Sequence, residues 1–219
     1  MSDHSHTPEP KADFFDSRKA TALAAVFGGV GVVALLFSLI YGLLEGHRPQ
    51  FAFSWLFAVV FFFAIACGAL FWTFVHHATD AEWSVLVRRQ LENVGSLIPF
   101  IGVFFLGVVF FAPLLFGWWN IPPGADQILD KKIGYLNPTF FYIRAIFYFG
   151  VLGLLAVLVH RNSVKQDADG HPSYTVKNRV LSFIGIPALG LSLTFAAVDW
   201  LMSLDFHWFS TMWLSLIHI

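Results

Sequence analysis

Charged residues are scarce in this chain: Asp, Glu, Lys and Arg make up 12% of its 219 residues, whereas hydrophobic residues make up 57%. An ordinary soluble domain carries about 25% charged residues. A single protein core of this size does not hide so much apolar surface, so lipid must cover part of it. The net charge of -1 also gives no general attraction to nucleic acid. The composition therefore predicts a membrane protein without a nucleic-acid partner.

Cysteine is almost absent as well, because Cys67 is the only one in the chain. A single thiol excludes an intrachain disulfide and any iron–sulfur or zinc site that needs several cysteines of this chain. Cys67 lies inside an apolar stretch, which favours a buried, unreactive thiol. We therefore predict no metal bound by this chain.

Five apolar stretches are each long enough to cross a bilayer, which takes about 20 helical residues. Backbone groups find no water to bond with in hydrocarbon, so such stretches must be helical. They also lack the alternating pattern of β-barrel strands. The fold class predicted is an all-α polytopic membrane protein. The predicted spans are Ala20–Leu44, Phe53–Val75, Leu97–Trp118, Phe140–Val159 and Val180–Trp200.

The polar segments around these spans predict their orientation. Residues 1–19 contain two prolines and scattered charges, which is typical of a disordered tail. This tail, the second loop and the fourth loop carry nine Lys and Arg residues, against three in the other loops. The positive-inside rule then places the N-terminus in the cytoplasm and residues 199–210 on the outer face. The fourth loop, residues 161–179, reads as polar, and Asp169-Gly170 is a turn signal.

The second loop predicts a short amphipathic helix on the cytoplasmic membrane surface. Thr79-Asp80-Ala81-Glu82 has the form of a capping box. After it, apolar residues recur at helical spacing, whereas Arg88, Arg89 and Glu92 stay on a polar side. We expect the arginines to face lipid headgroups.

Polar groups at membrane depth are costly, so they are functional candidates by default. Arg144 lies just over one turn inside the fourth span. It either extends to the outer interface or pairs across helices with an acid such as Asp199. Residues 199–210 combine aromatic and titratable side chains. They form either an interfacial aromatic belt or a shallow site where Asp199, Asp205 and His207 exchange protons with a ligand.

His76 and His77, followed by Asp80, mark the cytoplasmic end of the second span. Neighbouring helical residues point about 100° apart, so both histidines cannot easily bind one metal ion. The open alternatives are capping of the helix end, a proton entry point and haem ligation.

Three stretches of this chain form a recognisable pattern. They are Trp72 with His76-His77-Ala78-Thr79-Asp80-Ala81-Glu82-Trp83-Ser84, then Arg88-Arg89 with Glu92-Asn93, and finally Asp199-Trp200-Leu201-Met202-Ser203-Leu204-Asp205 with His207-Trp208-Phe209-Ser210-Thr211. These stretches resemble one family, the F-type membrane subunit of alternative complex III, a bacterial respiratory complex that oxidises quinol. The family is related to the NrfD/PsrC-like membrane subunits of other quinone-linked oxidoreductases. The resemblance runs from about residue 20 to residue 212, the membrane domain.

The resemblance implies a multi-pass subunit of the bacterial inner membrane that supports quinol oxidation and proton transfer but is not catalytic alone. It implies no redox cofactor on this chain, apart from contact with quinone. Haems and iron–sulfur clusters are expected on a multi-haem cytochrome and an iron–sulfur protein, next to a related membrane subunit. The residues implicated by the motif match are Asp199, Asp205 and His207 on the outer side, and His76, His77, Asp80 and Glu82 on the inner side. Arg144 joins these candidates because of its depth in the membrane.

Two departures from the family pattern stand out. Phe206 occupies a position where the family usually has proline. The family also continues to about ten helices, twice the five of this chain. We therefore expect an N-terminal fragment whose residues 213–219 are a foreign tail. The competing functions are a transporter or ion channel, which would need broken helices and midplane polar residues, and a membrane anchor with no activity of its own.

Overall fold

The computed structural model describes residues 17–44, 46–81 and 85–208. Within these ranges the chain forms α-helices and no strand. Five segments are long and apolar enough to span a bilayer, which confirms the predicted all-α polytopic fold. The helices are α1 (Ser17–Leu43), α2 (Arg48–Ala78), α3 (Val85–Gly95), α4 (Ile98–Leu115), α5 (Gln127–Lys132), α6 (Pro138–Asp169) and α7 (Ser173–Trp200).

The chain divides into two units, Met1–Arg48 and Pro49–Ile219. The first unit contains α1, where the rings of Phe37 and Tyr41 stack with their centroids 6.4 Å apart. The second unit contains the other helices and every residue of the candidate site.

In the second unit, α2, α4, α6 and α7 form an antiparallel bundle. Phe51 at the start of α2 meets Phe111 near the end of α4, with ring centroids 5.5 Å apart. Phe116, just after α4, meets Phe141 at the start of α6 at 5.2 Å. Because each of these four helices runs opposite to the previous one, the start of one helix lies beside the end of the next. We call the end with the start of α6 and the end of α7 the Asp199 end, and the opposite one the Glu92 end.

Aromatic packing around Trp200 joins α7 to three other helices near the Asp199 end. The Trp200 ring centroid lies 4.6 Å from that of Phe105 on α4, 5.2 Å from Phe63 on α2 and 5.5 Å from Phe149 on α6. Trp200 is only 2% exposed. Aromatic pairs at such distances contribute about 0.5–1.5 kcal/mol each beyond the area they bury. This cluster therefore holds the last turn of α7 against the bundle.

The ends of α6 differ from the predicted span. At its start, the Asn137 side chain accepts a hydrogen bond from the Phe140 N–H at 2.9 Å, and Pro138 occupies the first turn, where a missing N–H costs little. At its far end α6 continues ten residues past Val159, through the segment predicted as a polar loop. It ends at Gly170, whose φ of +65° suits glycine. The turn signal there is confirmed, but most of residues 161–179 are helical.

Candidate functional site

A buried ion pair joins α6 to α7 at the Asp199 end. Arg144 donates from Nε to Asp199 Oδ2 at 2.7 Å and from Nη2 to Asp199 Oδ1 at 2.9 Å. Arg144 is 8% and Asp199 1% exposed. Of the two predicted alternatives for Arg144, the structure shows the pair across helices. Burial explains the outcome, because two charges taken out of solvent are stable only when they are bonded to each other and to further polar groups.

Further groups complete the bonding of both charges. The Tyr148 hydroxyl donates to Asp199 Oδ2 at 2.8 Å. The Tyr135 carbonyl accepts from Arg144 Nη1 at 3.0 Å. The guanidinium also lies over the Tyr135 and Phe140 rings, 3.9 and 4.3 Å from their centroids, which is cation–π geometry. Both charges of the pair therefore have additional polar partners, and removing either charge would leave the other buried and unpaired at a cost of about 3–5 kcal/mol.

The local sequence explains why these groups meet. Arg144 and Tyr148 are four residues apart, so they lie on one face of α6. Asp199 belongs to the last turn of α7, after which the chain leaves the helix in a 3-10 turn over Met202–Leu204. Tyr135 lies just before α6, where burial raises the pKa of its phenol and the Asp199 charge raises it further. The Tyr135 hydroxyl consequently keeps its proton.

The structure places Asp205 and His207 in a second group. The His207 ring nitrogen Nε2 lies 2.7 Å from Asp126 Oδ2, and the His207 backbone N–H donates to Asp205 Oδ1 at 3.1 Å. Asp126 is also the N-cap of α5, and it accepts from the N–H groups of the second and third helical residues. The predicted cluster of Asp199, Asp205 and His207 is therefore divided between two sets of partners.

The sequence patterns did not single out Asp126, although an Asp directly before a short helical segment is a cap signal. The hydrogen bond with His207 lowers the pKa of Asp126, and the backbone N–H bonds lower it further. The Asp126 carboxylate therefore stays ionised and ties α5 to the segment that follows α7.

Glu92 is the centre of a charge network at the other end of the bundle. Its Oε1 lies 3.2 Å from His77 Nε2 on α2, and its Oε2 accepts from Arg89 Nη1 at 3.1 Å. Arg88 Nε lies 3.8 Å from Glu92 Oε1, and Arg89 also pairs with Asp167 on α6. Glu92 is 2% exposed and His77 5%.

This network corrects the predicted arrangement of the amphipathic helix. The helix itself is present as α3, and Glu92 on its polar side faces the bundle. Arg88 and Arg89, which were predicted to face lipid headgroups, both pair with this buried carboxylate. The physical reason is that His77 of α2, together with two arginines of α3 itself, compensates the buried carboxylate. The sequence signal for this arrangement is the spacing of Arg88 and Arg89, four and three residues before Glu92.

The remaining predicted residues of the Glu92 end lie at its edge. Asp80, with a φ of +50°, pairs with Arg179 at the start of α7, and both side chains are about half exposed. The hydrogen bond from Arg179 lowers the pKa of Asp80. His76 is 4% exposed, and its ring lies 5.9 Å from that of Trp72. Glu82 lies outside the described residues.

A metal centre needs several ligating side chains close together. Within residues 17–44, 46–81 and 85–208, no group of three or more His, Cys, Asp or Glu side chains lies close enough together to hold a metal ion.

The fold and the charge arrangement define a class: a multi-pass α-helical membrane protein with a buried ion pair at one end of its bundle and a buried carboxylate network at the other. Comparison with protein-family models and with curated proteins gives no match for this chain.

Proposed function

We propose that this chain is an integral membrane subunit of a quinol-oxidising respiratory complex, in which it supports quinol oxidation and proton transfer without being catalytic alone. The observation that carries the proposal is the setting of Asp199. This residue opens the motif that resembles the F-type subunit of alternative complex III. It forms a buried ion pair with Arg144 and accepts a hydrogen bond from the Tyr148 hydroxyl.

Burial of charge supports a functional role for this end of the bundle. Ionisable groups among membrane spans are expensive and mark proton relays, ion paths or binding sites far more often than simple scaffolding. The positive-inside rule puts the Asp199 end on the outer side, where a quinol-oxidising complex releases protons. The same rule puts the His77–Glu92 pair on the inner side, where it offers a second proton-exchanging group.

Redox cofactors belong to partner chains in this proposal: a multi-haem cytochrome, an iron–sulfur protein and a related membrane subunit. The Asp199 carboxylate is enclosed by Arg144 and Tyr148 and has no exposed side-chain surface, so a ligand hydroxyl does not reach it. The residues present therefore do not fit direct contact between Asp199 and quinol, and no quinone step is assigned to this chain.

The first part of the test is co-purification. A tagged chain, expressed in its own cells and extracted in mild detergent, should carry with it a multi-haem cytochrome, visible from its reduced absorption bands. A chain that elutes alone, free of haem and of other polypeptides, would contradict the proposal.

The second part removes both charges of the ion pair. Arg144→Met combined with Asp199→Leu replaces the pair by apolar side chains, a change that often leaves stability unaltered. We expect a complex with normal haem content whose proton release during quinol oxidation falls at least about tenfold, the scale of a lost acid–base group. Asp169→Asn, an exposed carboxylate at the Glu92 end, is the control. Wild-type turnover and proton release in the double variant would make the chain a membrane anchor without activity of its own.

A transporter or channel has weaker support. Such proteins typically bind their substrate at helices broken near the bilayer midplane. Here α7 continues as a helix through Pro187, from Ser173 to Trp200. Uptake of a solute by liposomes that contain this chain alone would nevertheless favour a transporter over the respiratory proposal.

A further inference from the structure

A cavity of about 330 Å³ adjoins the buried ion pair at the Asp199 end. Its walls include Tyr135, whose carbonyl bonds Arg144, and Ser203, whose hydroxyl bonds the Asp199 carbonyl. This volume is at the lower end of the range of about 300–1,000 Å³ found for small-molecule sites. It is large enough for a polar headgroup and the first carbons of a chain.

The lining of the cavity is divided by chemistry. Leu136, Val198 and Met202 form an apolar part, and Trp208 adds an aromatic ring. Lys131 and Lys132, the last two residues of α5, form a cationic part. A ligand that matches both parts has a negative head and an apolar body.

Lys131 and Lys132 give the cavity wall positive charge, and none of the eight residues that line it is an acid. Among the described residues, Lys131 has no ion-pair partner. Lys132 Nζ donates to the Phe206 carbonyl at 2.6 Å, which holds its ammonium group beside the cavity. Asp199 pairs with Arg144 and Asp126 with His207, whereas Asp130 accepts from the Gly124 N–H and Asp205 from the His207 backbone N–H. None of these acids lines the cavity. The cavity therefore presents positive charge to an incoming ligand.

The position of the cavity matches the membrane interface. Its walls come from residues just before the span that begins at Pro138 and from the end of the span that stops at Leu204. Tyr, Trp and Lys side chains concentrate at this level of a bilayer, beside lipid headgroups. The cavity thus lies at the depth of phospholipid phosphates.

We propose that this cavity binds the headgroup of an anionic phospholipid. Lys131 and Lys132 bind the phosphate, and the apolar part of the lining contacts the glycerol and the first acyl carbons. The inference is independent of the respiratory function, because it rests on the cavity alone. It gives the chain a bound lipid beside Arg144, at the edge of the bundle.

The test measures lipid binding to the whole 219-residue chain. Protein purified in detergent and stripped of lipid is titrated with phosphatidylglycerol or with phosphatidylcholine, and bound lipid is counted by native mass spectrometry. We expect one phosphatidylglycerol bound in preference to phosphatidylcholine. Lys131→Gln with Lys132→Gln should weaken that binding about tenfold or more, since each basic residue near a charged headgroup contributes about 1 kcal/mol. Equal binding by wild type and this variant would refute the proposal.

Matched variants separate charge, shape and folding. Lys131→Arg with Lys132→Arg keeps the charge and should bind like wild type. Lys165→Gln with Lys177→Gln removes two exposed lysines at the Glu92 end and should also have no effect. Met202→Trp fills the cavity without changing charge and should reduce binding, so unchanged binding would contradict the site even if the lysine variant fails to fold.

A further arm distinguishes a lipid from a free anion. Inorganic phosphate carries the charge but lacks the apolar body, so millimolar phosphate should not displace bound phosphatidylglycerol. Complete displacement by phosphate would show a simple anion site, and the lipid assignment would fall.

Discussion

Among the residues that the structure describes, two carboxylates, Asp199 and Glu92, are almost fully buried, and they are bonded differently. Asp199 is held by one bidentate arginine and one tyrosine. Glu92 is bonded to His77 of α2 and pairs with Arg88 and Arg89, whose side chains are 30% exposed. A histidine exchanges protons near neutral pH, whereas an arginine does not. At the scale of single residues, the two carboxylates therefore differ in their partners: a permanently charged arginine for Asp199 and a histidine for Glu92.

We expect Tyr148→Phe to destabilise the protein by about 1.5–3 kcal/mol, because it removes one hydrogen bond to a buried charge. Thermal unfolding of the purified chain in detergent measures the effect. Tyr174→Phe is the matched control, since the Tyr174 hydroxyl lies 3.4 Å from an exposed Asp169 oxygen and such surface contacts contribute about 0.5 kcal/mol or less. Equal unfolding temperatures for the two variants would show that the Asp199 network contributes little to stability.

At the scale of elements, the short helix α3 is attached to the bundle by charge. Glu92 bonds His77 of α2, and Arg89 pairs with Asp167 of α6. Helices held in this way depend on each partner, because a buried charge without its partner is costly.

Glu92→Gln should loosen α3, because the neutral amide leaves Arg88, Arg89 and His77 without their shared carboxylate. We expect faster hydrogen exchange at backbone amides of residues 85–95, together with a loss of about 1–3 kcal/mol in unfolding free energy. Gln90→Ala, an exposed change on the same helix, is the control and should leave exchange unaltered. Exchange that is equally slow in both variants would mean that apolar contacts alone hold α3.

The close approach of α7 to α2 depends on Gly185. A Cβ atom at this position would lie 2.6 Å from the Phe74 ring, closer than real contacts allow. Gly185→Ala should therefore destabilise the bundle by about 1–3 kcal/mol through overpacking. Gly190→Ala, on the same helix with nothing within 4 Å of its Cβ, should be neutral or stabilising by up to about 1 kcal/mol. Chemical unfolding of both variants compares them, and the opposite order would refute the predicted contact.

At the scale of the whole molecule, the distribution of Lys and Arg predicts which side of the membrane each end of the bundle faces. The Glu92 end carries the basic loops, so we expect it in the cytoplasm and the Asp199 end outside. The buried Asp199 pair and the cavity beside it would then lie at the outer interface.

Labelling of introduced cysteines tests this orientation. Ala125→Cys in the loop of the Asp199 end should react with a membrane-impermeant maleimide in intact cells, whereas Lys165→Cys at the Glu92 end should react only after the membrane is opened. Both positions are exposed, and the native Cys67 is buried, so background labelling is low. The reverse pattern would invert the orientation and undermine proton release at the Asp199 end.

The amino-acid sequence alone determined the properties that depend on local composition. Spans are set by the length of apolar runs, and helices follow because every backbone group in lipid must be bonded within its own segment. The turn at Gly170 follows from the conformational freedom of glycine. The number and type of spanning elements could therefore be predicted from the order of residues along the chain.

Only the tertiary structure decided which side chains meet. Asp126 and His207 are 81 positions apart, and Glu92 reaches His77 only because α3 folds back on α2. The spans are apolar on nearly every side, so their sequences carry little information about which face turns inward. The sequence was therefore compatible with Arg144 extending to the interface or pairing with Asp199. The packing of α6 on α7 brings the two residues together, and they pair because a buried charge requires an opposite charge beside it.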